Sequence, residues 1–128
     1  MVNITILVEN TVPLSYLTGE HGFAALVETD RAKLLFDVGN KGTLFENSRL
    51  LDVNLKDIDA VVLSHGHYDH TGALIALLEE TGPKRIYAHS NLFARRVVEL
   101  GGGSYRETGC PYSRQQIESA GGELTFID

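Results

Sequence analysis

The period of the apolar residues changes repeatedly along this chain, and that change limits what it can fold into. Val2, Ile4, Ile6 and Val8 alternate with Asn3, Thr5 and Leu7, which predicts a first strand over Val2–Val8. Residues 9–22 carry Pro13, Gly19 and Gly22 and read as a loop. Two apolar runs, Phe23–Thr29 and Ala32–Val38, flank Asp30-Arg31 and predict a hairpin. Gly39-Asn40-Lys41-Gly42 then releases the chain into a helix over Thr43–Leu51, with Leu44, Phe45, Ser48 and Leu51 on one face. The polar segment Asp52–Asp59 reads as a short turn or helix, and Ala60–Leu63 as a compact strand ending at Ser64. Further on, the pattern predicts a helix over Ala73–Glu80, stopped by Gly82-Pro83, and a strand over Arg85–Ala88. Ser90 reads as the cap of a helix running to Leu100 and stopped by Gly101-Gly102-Gly103. Ser113 to Gln116 matches a capping box, and Glu123–Ile127 closes the chain as a strand. Strand–helix alternation after an opening meander predicts an α/β (α+β) fold, a mixed β-sheet covered by helices on one face.

Composition narrows the class. At 128 residues, 43% apolar and 22% charged, with no linker or repeat, residues 1–128 read as a single globular domain. Cys110 is the only cysteine, which excludes a fold stapled by intrachain disulfides. The formal net charge of −6 is shared by both halves, so a nucleic-acid partner held through phosphate contacts is not expected. No apolar run approaches the roughly 18–20 residues of a membrane-spanning helix, and MVNITILVEN lacks the positive region of a signal peptide. A cytoplasmic location is the expectation.

Chemistry concentrates in Ser64-His65-Gly66-His67-Tyr68-Asp69-His70-Thr71-Gly72, where three imidazoles and a carboxylate fall within six residues after an apolar strand. Side chains at i and i+2 of an extended segment point the same way, so His65 and His67 are placed to grip one metal ion. Asp69 and His70 lie where the chain turns into the next helix and can reach a second ion beside the first. Imidazole with carboxylate suits Zn foremost, with Fe, Mn or Ni as alternatives; Mg and Ca favour all-oxygen sites. A capping role would need one Asp or Ser and not three imidazoles.

These residues resemble the His-x-His-x-Asp-His signature of the metallo-β-lactamase superfamily. Leu34-Leu35-Phe36-Asp37-Val38-Gly39 is similar to the family's apolar strand ending in Asp-x-Gly, and Ala60 to His67 to the strand that delivers its ligands. Glu20-His21-Gly22-Phe23 narrows the resemblance to the subgroup containing archaeal dihydropterin-ribofuranosyl-aminobenzene-phosphate synthases. The likeness is clear to about residue 90 and looser beyond. It implies that His65 and His67 hold a first divalent ion and that Asp69 and His70 hold a second, up to two ions. It places Asp37 behind them, accepting a hydrogen bond from a ligand imidazole; a plain surface-turn role for Asp37 is the alternative. The implied reaction is hydrolysis, or related synthesis, in which a metal-bound hydroxide attacks an ester, lactone or phosphodiester-type small-molecule substrate. Asp69 and His70 are the candidate catalytic residues, and no nucleophilic Ser or Cys is needed.

The family completes its site with ligands from the second half of its αββα sandwich, and this chain carries no His after His89. His89, in Tyr-Ala-His-Ser, His21 and the terminal Asp128 read as residues other than ligands. The expectation is half of a sandwich, whose bare sheet face is an association surface. The rest would come from a longer enzyme of which this is a fragment, from a separate C-terminal half, or from a second copy in a homodimer. A rival reading is a metal-binding assembly module or truncated half-enzyme without turnover of its own. Outside the motif, Gly101 to Ser104 reads as a flexible stop rather than a phosphate loop, Cys110 as an inert thiol, and Arg95-Arg96 as solvated. Tyr68 reads equally as a hydrogen-bond donor to substrate or as an outward-packing ring.

Overall fold

Thr29 makes the first turn, with its hydroxyl accepting from the amides of Arg31 (3.1 Å) and Ala32 (3.0 Å) in place of an Asn-Gly pair. The computed structural model describes residues 1–128. Strands β1 (Asn3–Val8), β2 (Ala24–Glu28) and β3 (Lys33–Phe36) form the expected meander, followed by helix α1 (Thr43–Leu50) and strand β4 (Ala60–Val62). Helices α2 (Tyr68–Thr71) and α3 (Leu74–Thr81) lead to β5 (Lys84–Ala88), then β6 (Val97–Gly101) and β7 (Ser104–Glu107), helix α4 (Arg114–Ser119) and β8 (Gly122–Phe126). Single 3-10 turns occupy Leu55–Asp57 and Ser90–Phe93.

The main sheet runs β1-β2-β3-β4-β5-β8, antiparallel through the meander and parallel from β3 onward. Successive parallel strands progress in one direction across the sheet. Right-handed crossovers therefore deliver α1, α3 and α4 to the same face. There Leu44, Leu74, Leu77, Leu78 and Ile117 pack against the register row Leu26, Leu35, Val61 and Ile86, all buried. The other face is apolar too, but bare. Ile6, Phe36, Val62 and Tyr87 share one row across it, and Ile4 with Val27 and Leu34 another. Ile4 is 64% exposed and Phe36 38%, whereas Leu35, between two residues of that face, is fully covered. No helix is long and apolar enough to cross a membrane.

The helix expected over Ser90–Leu100 is not formed. The turn at Ser90 is capped by His89, whose Nδ1 accepts from the Asn91 amide at 3.1 Å, and it ends at Phe93. Val97 and Val98 then favour extended backbone, and β6 pairs with β7 in a separate two-stranded hairpin. Gly101, Gly102 and Gly103 all take positive φ (91°, 59° and 80°), so the triplet makes the hairpin's reversal rather than a helix stop. At the other end of the chain the Ser113–Gln116 capping box forms as expected.

Candidate metal centre

The motif leaves the sheet at the end of β4, beside the end of β3, where open α/β sheets place their ligand sites. Backbone hydrogen bonds tie three segments together there. The Phe23 amide donates to the Asp69 carbonyl (3.3 Å), the Val38 amide to the His70 carbonyl (3.0 Å) and the Gly39 amide to the Phe23 carbonyl (2.9 Å). Glu20 accepts from the Asn40 amide at 2.7 Å. Gly72 permits the close approach, since a Cβ there would collide with the Asn40 carbonyl; its own carbonyl accepts from the Tyr112 hydroxyl. The separated sequence blocks Glu20–Phe23, Asp37–Gly39 and Asp69–Gly72 thus form one physical unit.

His65 and His67, two apart on extended chain, turn Nε2 and Nδ1 toward each other at 3.0 Å. Asp69 Oδ2 and His70 Nε2, on the first turn of α2, lie 3.5 Å apart. Two donors on one tetrahedral Zn, each at about 2.0–2.1 Å, are separated by roughly 3.3 Å. Both pairs have the spacing of ligands sharing an ion, and the donor set of imidazoles and a carboxylate suits a transition-series divalent cation. The residues fit the group. The rings of His65 and His70 lie 4.3 Å apart between centroids, so the two pairs adjoin.

Asp37 sits behind the pairs, 1% exposed, in a left-handed conformation (φ 57°) that Asp tolerates better than most residues. Its carboxylate accepts from the Ser64 amide (2.8 Å), the Ser64 hydroxyl (2.6 Å) and His70 Nδ1 (2.7 Å). Asp37, His65 and His70 come close enough to enclose an ion among themselves. With three donors already on its oxygens, the Asp37 carboxylate fixes the orientation of Ser64 and His70. The contact to His70 places the proton on Nδ1 and leaves Nε2 as a lone pair facing Asp69. Ser64, donating its proton to Asp37, accepts in turn from His65 Nδ1 at 2.7 Å and leaves His65 Nε2 free in the same way. Burial foremost, and then the neighbouring His70 and His67 rings, hold the His65 pKa below the ordinary histidine value, which favours the neutral, ligating form.

Ser64 and Tyr112 were not singled out by sequence reasoning. The position of Ser64, directly before the first His, was the available signal. His21 reaches the motif, its Nε2 3.4 Å from Asp69 Oδ2, with its ring 6.2 Å from Tyr68. His89 and Asp128 pair with each other at 3.6 Å, and Asp128 accepts from the Ser90 amide, which lowers its pKa. They lie outside the motif's hydrogen-bond network.

The sequence model of the metallo-beta-lactamase superfamily matches residues 17–118. This chain belongs to that superfamily. Within it, the chain is 41% identical over 92 residues to an uncharacterized protein of Methanocaldococcus jannaschii, covering 70% of this chain and 35% of that protein. It is 36% identical over 80 residues to the 7,8-dihydropterin-6-methyl-4-(beta-D-ribofuranosyl)-aminobenzene-5'-phosphate synthase of the same organism, covering 58% of this chain and 27% of the synthase. The chain therefore spans about a third or less of the length of these curated relatives. The fold also superimposes on a crystal structure from Thermotoga maritima assigned to the metallo-beta-lactamases, with a TM-score of 0.61 and 20% identity over 99% of this chain and 59% of that one.

Proposed function

We propose that this chain carries the motif half of a metal-dependent hydrolase, or related synthase, acting on an ester, lactone or phosphodiester-type small molecule. The observation that carries the reading is the pair of donor sets, His65 with His67 at 3.0 Å and Asp69 with His70 at 3.5 Å, side by side beyond the C-terminal end of β4. His65 and His67 would hold one divalent ion, Zn foremost, and Asp69 and His70 a second. When bound, such ions acidify a water near neutral pH and polarise a substrate oxygen. The chain's own residues do the positioning. Asp37 fixes the His70 tautomer, Ser64 fixes that of His65, and the buried Asp37 carboxylate balances the charge gathered in front of it. The Asp69 carboxylate, beside His70 and still 15% exposed, can also take up a proton from an attacking water.

Two protein donors per ion are fewer than the three or four usual in such sites. The bare sheet face and the length of the relatives support a second sheet layer, beyond these 128 residues, as the source of the remaining ligands. Relatives that include a dihydropterin synthase favour catalysis over a purely metal-binding assembly role.

The test combines metal content, oligomeric state and hydrolysis of ester and phosphodiester substrates on one sample. About two ions per chain and a turnover abolished in His67→Ala and Asp69→Ala would support the reading. A single loosely held ion, with background hydrolysis unchanged in both variants, would overturn it and favour the assembly module.

A further inference from the structure

Hairpin β6–β7 is exposed along both strands, yet it is fastened to the metal motif. His67 and Gly109 form an antiparallel bridge, and the Tyr68 amide donates to the Thr108 carbonyl at 3.1 Å. This lays β7 against the first turn of α2. Three arginines lie in the segment, and two are committed. Arg95 contacts Glu107 through Nε (2.9 Å) and Nη2 (2.8 Å). Arg96 donates to the carbonyls of Asn91, Leu92 and Ala94. Arg106 forms no ion pair. Its guanidinium lies 5.8 Å from the Tyr68 ring centroid, and Nη2 donates to the Tyr68 hydroxyl at 3.3 Å.

In a chain of net charge −6, an exposed guanidinium with most of its donors free, held beside a metal motif, is a site for an anion. Stacking on Tyr68 orders the side chain in advance and so lowers the entropy cost of binding. Because the Tyr68 oxygen accepts from Arg106, its own proton remains available to the same anion. Val98, paired with Arg106 in register and 47% exposed, offers apolar surface alongside. The Tyr68 ring lies 6.2 Å from that of His21, whose Nε2 is 3.4 Å from Asp69 Oδ2, so an anion held here is one side chain away from the proposed reacting centre.

We infer that Arg106, with Tyr68, binds the anionic group of the substrate, a phosphate or carboxylate carried on an apolar body, and thereby selects it. The inference rests on the metal-site reading above and names the substrate class for that site.

Phenyl phosphate, benzoate and inorganic phosphate, titrated into the metal-free chain, test it by NMR at the Arg106 Nε–H and the Tyr68 amide. Saturable shifts at both groups are expected, with phenyl phosphate against benzoate distinguishing a phosphate from a carboxylate ligand. Arg106→Gln should weaken binding about tenfold or more, the loss of a charge-assisted hydrogen bond, while Arg95→Gln stays within about twofold. Equal affinity in Arg106→Gln and wild type, or equal losses in Arg106→Gln and Arg95→Gln, would overturn the assignment. A separate zinc titration should give the same stoichiometry for Arg106→Gln and wild type. Failure of the wild type to take up zinc would count against the metal reading alone.

Discussion

The two faces of the main sheet are made by the same strands and are both apolar, yet they have opposite fates. On one, Leu26, Leu35, Val61 and Ile86 disappear beneath α1, α3 and α4. On the other, Ile4, Ile6 and Phe36 stay open to solvent, with Val27, Leu34, Val62 and Tyr87 half-covered. Alternation along a strand separates two rows of side chains but does not say which row is covered. The connections decide that, because right-handed crossovers between parallel strands all fall on one side. The difference teaches that the strand pattern makes two apolar faces and that connectivity closes one of them. The motif itself lies at the C-terminal end of β4, held from behind by the buried Asp37 carboxylate.

The largest effect should separate the faces directly. Ile86→Ala, within the closed row, should cost about 2–5 kcal/mol in urea-induced unfolding, from lost burial plus the cavity left behind. Ile4→Ala, on the open row, should stay within about 0.5 kcal/mol of wild type. Equal losses would show that the open face is covered in solution.

Next in size is the link between the closed core and the motif. Asp37→Asn keeps the shape and tolerates positive φ, but it cannot accept from Ser64 and His70 as the carboxylate does. Metal affinity should fall about 10–100-fold in a chelator competition. An unchanged affinity would demote Asp37 to a turn residue. Ser64→Ala should act more weakly, about tenfold at the upper end, and should alter the His65 tautomer population seen by ring nitrogen NMR. A His65 ring that keeps its proton on Nδ1 without Ser64 would break the relay.

The smallest effect concerns Lys84, buried at the far end of β5, with Nζ donating to the Ile58 carbonyl at 2.9 Å. Burial holds its pKa below the usual lysine value, outweighing the attraction of Asp59 and Asp57. Between the lowered folded pKa and the unfolded value, the unfolded chain binds the additional proton, so this group makes stability rise with pH. Tyr112, whose pKa burial raises, contributes the opposite slope once pH passes the ordinary tyrosine value. The measurement is therefore the difference between wild type and Lys84→Met in unfolding free energy from pH 8 to 10.5. It should change in favour of wild type as pH rises, and a flat difference would show that Lys84 is not penalised in the fold.

Much of the architecture was legible in the strands and helices whose patterns are local. The meander, β4, α3 and the Ser113 capping box are written in short-range periodicity and end signals. The region from Ser90 to Glu107 was not legible, because a polar cap followed by mixed apolar residues suits a helix as readily as a turn and a strand. The β6–β7 pairing and the fastening of Gly109 and Thr108 to the motif tipped it to a hairpin. In the same way, HxHxDH announced four donor residues, but not Ser64's part in orienting one of them. That role needs Asp37, 27 residues earlier, to be folded beneath it.

The sequence by itself determined the donor chemistry, the strand that presents it and the family, since these depend on residue type and on spacing within a few positions. The tertiary structure alone decided which sheet face is closed, which ring nitrogens are left free and which arginine beside the motif stacks on Tyr68 without an ion pair. Each of these is set by contacts between distant segments, and their distances and burial appear only when the chain is folded.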